Sequence, residues 1–491
     1  MHVRIRSFAS VGLLILVGGA APLRAATSLK VRLLTPISSY RSKAGDLVEA
    51  LVTPASCSER SNTLPDGTIL AGLVRNVRRV GLGLAHETAS LRFDFYELRL
   101  PDGRVFGVEA RLAGIDNARE RVDRNGVVHG IRATNSLASR VGSRLAIEAF
   151  EHPFLLAPAV IVESSVFRFP EPEIEYGRGT ELTADVRLPE EFEARPNCKE
   201  ASAPVELHLL VAALPDWSYS KRQPQPMDPV NLVFAGSPRE LEAAFTAAGW
   251  TGSRPNSVAA GIQVIRAIAS EHEDLNAPMR TLLLNGDQPD LSMQTALNTF
   301  EKRDHLRIWK QADPFQGRTV WAAAATRDIG TTFSMGHPFG FTHEIQSDVD
   351  LERDKVVSDL EITGCVDSVD YIDRTQPVAM SGPGSRKGLR TDSRVAVVVL
   401  NSCNQPLENF ADANAYPGPP LAVRFFRRLA LTTRNHFMRD NIVYRSGDAA
   451  RLGVLAVRSW YVHRRDERRL EQEDARHASP PTVLAASRPG A

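Results

Sequence analysis

The stretch HEIQSDVDLERD, His343–Asp354, puts one histidine, five acidic residues and one arginine into twelve positions. A histidine among carboxylates is the equipment of a proton shuttle or a divalent-metal site. The catalytic candidates are His343, Asp350 and Asp328, the last from the upstream segment TRDIG. A metal site needs three or more protein ligands, and only His337 and Asp348 stand near enough in sequence to complete one. Asp350 and Glu352 lie about 200° apart on a helix, so a single site cannot use both. No metal and no cofactor is expected.

The same residues also describe the start of a helix. Ser347 is the expected N-cap, with Asp348 and Asp350 in the first turn, where carboxylates meet unpaired N–H groups and the positive end of the dipole. Val349, Val356, Val357 and Leu360 then fall on one face, and Glu352 pairs with Lys355 on the exposed side. Arg353 points between Val349 and Val357, into the inward stripe. A guanidinium there must snorkel out or meet a carboxylate, and Asp328 is the named candidate partner, which would tie strand to helix. This structural reading leads. A hydrolase or metal-dependent enzyme around His343, Asp328 and Asp350 is the alternative.

Other motifs offer less. Ser218 and Lys221 have SxxK spacing without its companion motifs, and GPGSRKG (382–388) lacks the strand–helix setting of a phosphate loop. GxSxG, HExxH and CxxC are absent from the sequence.

The elements that must position these groups divide the 491 residues into a multidomain chain. A basic start, a short apolar run and small residues make Met1–Ala25 read as a secretory signal peptide, so the protein is expected to be exported to the periplasm or cell envelope. The rest is near neutral, which gives no electrostatic case for nucleic acid. Residues 28–213 alternate and carry turn signals (LPDGR, DRNG), predicting an all-β barrel or sandwich, with ATNSLASRVGSRLAIEAF as an inserted helix. Residues 214–227 read as a proline-rich linker. Residues 228–401 order as strand–helix–strands–helix–strands, an α/β (α+β) domain, in which Ser237, Pro238 and Glu240 form a helix start. Residues 402–491 are an extension, helical and then disordered. Its helix, with Val423, Phe426, Leu429 and Ala430 on one side, is expected to pack on its own domain; contact with a membrane surface is the alternative. Four cysteines allow three pairings, of which Cys365–Cys403 and Cys57–Cys198 keep each bridge within one half.

The second domain resembles the LssY C-terminal domain family of bacteria. The likeness rests on DPVNLVFAGSPRELEAAFTAAGW (228–250), HLRIWK (305–310), VWAAAATRDIG (320–330), HEIQSDVDLERDKVVSDL (343–360) and GLRTDSRVAVVVL (388–400). The resemblance implies envelope association and singles out Arg327, Asp328, His343, Asp348, Asp350, Glu352, Arg353 and Asp354. It implies no settled activity. Members often follow membrane segments of phosphatase-like or DedA-like proteins, and this chain has no such domain, so that activity is not carried over. Where members commonly show a second histidine and a proline, this chain has HEIQSD, with His337 six residues earlier. The expected function is a noncatalytic envelope module that binds or scaffolds a protein or envelope component.

Overall fold

Alternating apolar residues give strands that can bury one face, and six of them close on themselves. In this computed structural model Thr27–Leu33 (β1), Leu47–Val52 (β2), Ile69–Arg78 (β3), Ser90–Arg99 (β4), Val105–Ile115 (β5) and Glu181–Arg187 (β6) pair antiparallel in the order β3-β2-β1-β6-β5-β4, and β3 pairs back onto β4. The N-terminal region is thus a barrel rather than a sandwich. The structure describes residues 26–54, 60–62, 64–82, 87–142, 145, 152, 154, 169–188, 194–196, 204–221, 226–255, 257–333, 341–378, 389–404, 407–411, 418–439, 446, 450, 454 and 457.

Leu91, Phe93 and Phe95 of β4 are buried as their alternation requires, and the phase slip after them is a bulge between Phe95 and Glu97. Closure needs Gly72, because a Cβ there would stand 2.3 Å from the Asp94 carbonyl oxygen. The expected inserted helix begins as a 3₁₀ turn, Ala133–Asn135, followed by helical residues 137–142. The signal-peptide segment, His337, the GPGSRKG loop, Cys57 and Cys198 lie outside the described residues.

The second sheet is built from Leu232–Ala235 (β7), Leu291–Thr295 (β8), Arg303–Lys310 (β9), Val320–Phe333 (β10), Phe341–Ile345 (β11), Val366–Asp373 (β12) and Arg394–Leu400 (β13). Its order runs from Thr251–Gly252 through β8-β9-β10-β7-β13-β12, and β11 pairs off β10. Only β7 and β13 run parallel among the described pairs. The region is therefore sheet-rich with few helices, which fits the α/β (α+β) expectation only loosely. Among the described residues four helices accompany it: Val205–Ala212 (α1), Pro238–Ala247 (α2), Val258–Ala269 (α3) and Asp350–Glu361 (α4). Residues of α2 and α4 bury Phe234, Leu306 and Ala323 on one face, while α1 covers Val233, Trp309 and Ala322 on the other. With both faces covered, β9 is buried over all but its last residue and shows no simple alternation. The α2 start is the expected capping box, in which Ser237 Oγ accepts the Glu240 N–H and Glu240 accepts the Ser237 N–H.

The stretch read as a linker is instead paired: Trp217–Ser220 lies antiparallel to Pro226–Pro229. Ser218 Oγ donates to the Asp228 carbonyl and accepts its N–H, which locks this SxxK serine into a buried backbone clasp. Cys365 and Cys403 form the expected disulfide. The barrel and the second sheet belong to one compact unit, and Gly81–Glu87, Arg132–Glu171 and Pro420–Ala491 form another. The latter contains Leu421–Arg439 (α5).

A charged helix seat as the candidate functional site

Helix α4 does not start where its sequence suggests. Arg390 N–H donates to the Ser347 carbonyl and Asp348 bridges to Arg390, so the chain is still extended at the expected cap. The helix begins at Asp350, and Asp348 Oδ1, not Ser347, accepts the Asp350 N–H. Buried Asn231 holds this end, accepting the Ala325 N–H and donating to the carbonyls of Ala325 and Val349.

Arg353 does point inward and is 0% exposed. Its partner is not Asp328. The guanidinium reaches Asp392 at 2.7 Å, Asp354 at 2.8 Å and Asp350 at 3.3 Å, and donates to the Arg394 carbonyl. Tyr371 on β12 lies 5.1 Å beneath it. Asp392, just before β13, takes the pairing, while Asp328 on β10 pairs with His305, His343 and Arg303. Asp350 is spent here too, accepting from Thr391 Oγ1 and from the Asp392 N–H.

The side of α4 expected to face solvent is covered by the barrel. Lys355 meets Asp359 at 2.6 Å one turn on and Glu181 of β6 at 2.8 Å. Asp359 also binds Arg32 of β1 at 2.6 Å and accepts from Trp250 Nε1. On the same side Asp304 accepts from Asn117 Nδ2 and faces Arg327 at 3.2 Å. Glu352, expected to pair with Lys355 in the open, is only 2% exposed, and its Oε1 has no hydrogen-bond donor among the described residues. Burial and the neighbouring Asp304 hold its carboxyl well above the usual range, against the pull of Lys355 and Arg327. Glu181 behaves oppositely: burial is outweighed by Lys355 and Arg32, and its carboxyl falls to about 2. Glu181, Asp304, Asp359 and Glu352 here stand against Lys355, Arg32 and Arg327, and Glu352 is the one whose Oε1 lacks a donor among the described residues.

Asp328 and His343 do come together, on paired strands β10 and β11. Asp328 Oδ2 stands 3.3 Å from His343 Nδ1, 3.0 Å from His305 Nε2 and 3.5 Å from Arg303. Arg303 also lies 3.4 Å from His343 Nε2 and 4.1 Å over the Phe300 ring. Burial opposes the charge on Asp328, but His305, His343 and Arg303 prevail and keep its carboxyl well below the usual range. His343 is 28% exposed and is the only member of the group open to solvent to that degree. An Asp–His pair of this kind can orient an imidazole for proton transfer, but the far nitrogen here faces a guanidinium. Asp350 has its named partners in the Arg353 cluster instead, so the proposed three-residue site divides into two. Among the described residues no group of three or more His, Cys, Asp or Glu is arranged to hold a metal ion.

His305, Arg303, Asp392, Glu181 and Arg32 escaped the sequence reading. His305 and Arg303 sit on β9, outside the segments singled out for chemistry. Asp392, Glu181 and Arg32 are distant in sequence from α4, and only the fold brings them to it.

A search of curated proteins returns no match. Among solved structures, ComB10 of the Com type IV secretion system of Helicobacter pylori aligns at 12% identity over 34% of this chain and 91% of that one, with a TM-score of 0.18 that carries no argument. Residues 212–394 match the family model described as the LssY C-terminus, from the end of α1 to the first residue of β13. The sheet that holds Asp328, His343 and α4 therefore belongs to an LssY C-terminal domain.

Proposed function

We propose that this chain is a noncatalytic envelope module, in which the LssY domain and the barrel form a rigid platform for a protein or envelope-component partner. One observation supports this most: Arg353, Lys355 and Asp359 of α4 are paired inside the molecule, with Asp392 and the Arg394 carbonyl on one side and with Arg32 and Glu181 of the barrel on the other. Charges held this way fix position and leave little for a ligand. The signal-like N-terminus supports the envelope assignment. The rival, a hydrolase or metal-dependent enzyme, draws on the Asp328–His343 pair and its partly exposed imidazole.

Elemental analysis of the purified full chain, with a panel of generic ester, phosphate and glycoside substrates, separates the two. The platform reading expects no stoichiometric transition metal and no turnover that depends on His343. A stoichiometric metal, or turnover, abolished by His343→Ala overturns it.

A further inference from the structure

Helix α5 is built inside out. Leu421, Phe425 and Leu429 follow one another at i, i+4 spacing, with Phe426 beside them, and these side chains are 83%, 63%, 54% and 57% exposed. The inward side carries Arg427, 1% exposed, which pairs with Glu171 and donates to the Gly81 carbonyl. Arg434 pairs with Glu87. The side expected to pack thus faces outward, where Leu82, Ala422, Val423, Phe426, Leu429 and Ala430 line a shallow groove of about 610 Å³. An aromatic stripe turned to water is unfavourable unless something covers it.

The charge of this segment, read from the sequence, points to the occupant of the stripe. In sequence helix α5 has Arg424, Arg427, Arg428, Arg434 and Arg439 and no acidic residue, and of these Arg427 and Arg434 serve Glu171 and Glu87. Residues 421–465 carry ten arginines against Asp440 and Asp448 in a chain of net charge +1. Two copies of so basic a segment would repel one another. An anionic phospholipid surface satisfies both features, with the phenyl and leucyl side chains in the acyl boundary and the guanidinium groups at the phosphates. We infer that α5 docks on anionic phospholipid bilayers through Leu421, Phe425, Phe426 and Leu429. Among the described residues no helix is long and apolar enough to cross a membrane, so contact is at the surface for this helix. The inference goes beyond the platform reading and does not depend on it, since metal content and turnover can fail while lipid binding stands.

The test is sedimentation of the full chain with vesicles of phosphatidylcholine alone, and of phosphatidylcholine with about one quarter phosphatidylglycerol, at low and high salt. The wild type is expected to bind the anionic vesicles at least about tenfold more tightly, with salt weakening the contact. Phe425→Glu with Phe426→Glu is expected to abolish binding without changing the thermal melt, because both side chains are on the surface. Absence of wild-type binding, or undiminished binding by the double variant, overturns the inference. So does light scattering that shows a wild-type dimer, a monomeric double variant and no vesicle binding, which would make the stripe a self-interface.

Discussion

Helices α4 and α5 each bury an arginine almost completely, Arg353 at 0% and Arg427 at 1% exposure, yet they use it in opposite ways. In α4 the arginine lies among three carboxylates, a second buried cation serves the other side, and valines and a leucine fill what remains. In α5 Glu171 and the Gly81 carbonyl take Arg427 and the apolar residues turn outward. A buried guanidinium alone therefore says nothing about which face of a helix is the working one. What decides is whether the charges on the opposite face are also consumed.

The contrast can be broken most forcefully at Arg353. Arg353→Leu leaves Asp350, Asp354 and Asp392 without their shared cation and is expected to cost about 3–5 kcal/mol, read as a lowered urea midpoint. Arg427→Leu, whose partner Glu171 can still reach water, is expected to cost less, about 1–3 kcal/mol in the same measurement. Equal losses at the two positions would erase the distinction between them.

Glu352→Gln sharpens the account of the cluster facing the barrel. A carboxyl with a raised folded-state pKa keeps its proton in the fold while the unfolded chain releases it near the ordinary 4.5, so wild-type stability falls as pH rises above that value. The amide removes this loss. The variant is expected to melt higher than wild type at pH 8 and near it at pH 4. Glu181 and Asp328, whose carboxyls are held low, act in the other direction: their contribution is complete above the usual carboxylate range and is lost as pH drops below it. The smallest effect belongs to Phe425→Ser, expected within about 0.5 kcal/mol of wild type in thermal melts despite the size of the side chain lost.

Some of this was legible in the chain. LRFDFYELRL declared its buried face, the Ser237–Pro238–Glu240 start its cap, and the inward aim of Arg353 followed from helical geometry. What could not be read is everything that depends on distant segments meeting. Asp392 stands 39 positions from Arg353, and Glu181 and Arg32 come from the barrel, so local spacing favoured Asp328 and an open Glu352. The polar look of Leu214–Pro229 suggested a linker because composition does not reveal that Ser218 is clasped by Asp228. Amphipathicity located the two faces of α5 but could not say which would be covered.

The central claim is that the charges of α4 seat the helix. It is tested most directly by paired double-mutant cycles in urea unfolding, Arg353→Leu with Asp392→Asn and Arg353→Leu with Asp328→Asn. The account predicts a coupling of about 1–3 kcal/mol in the first cycle and additivity in the second. Additive losses with Asp392, or a strong coupling to Asp328, would contradict it.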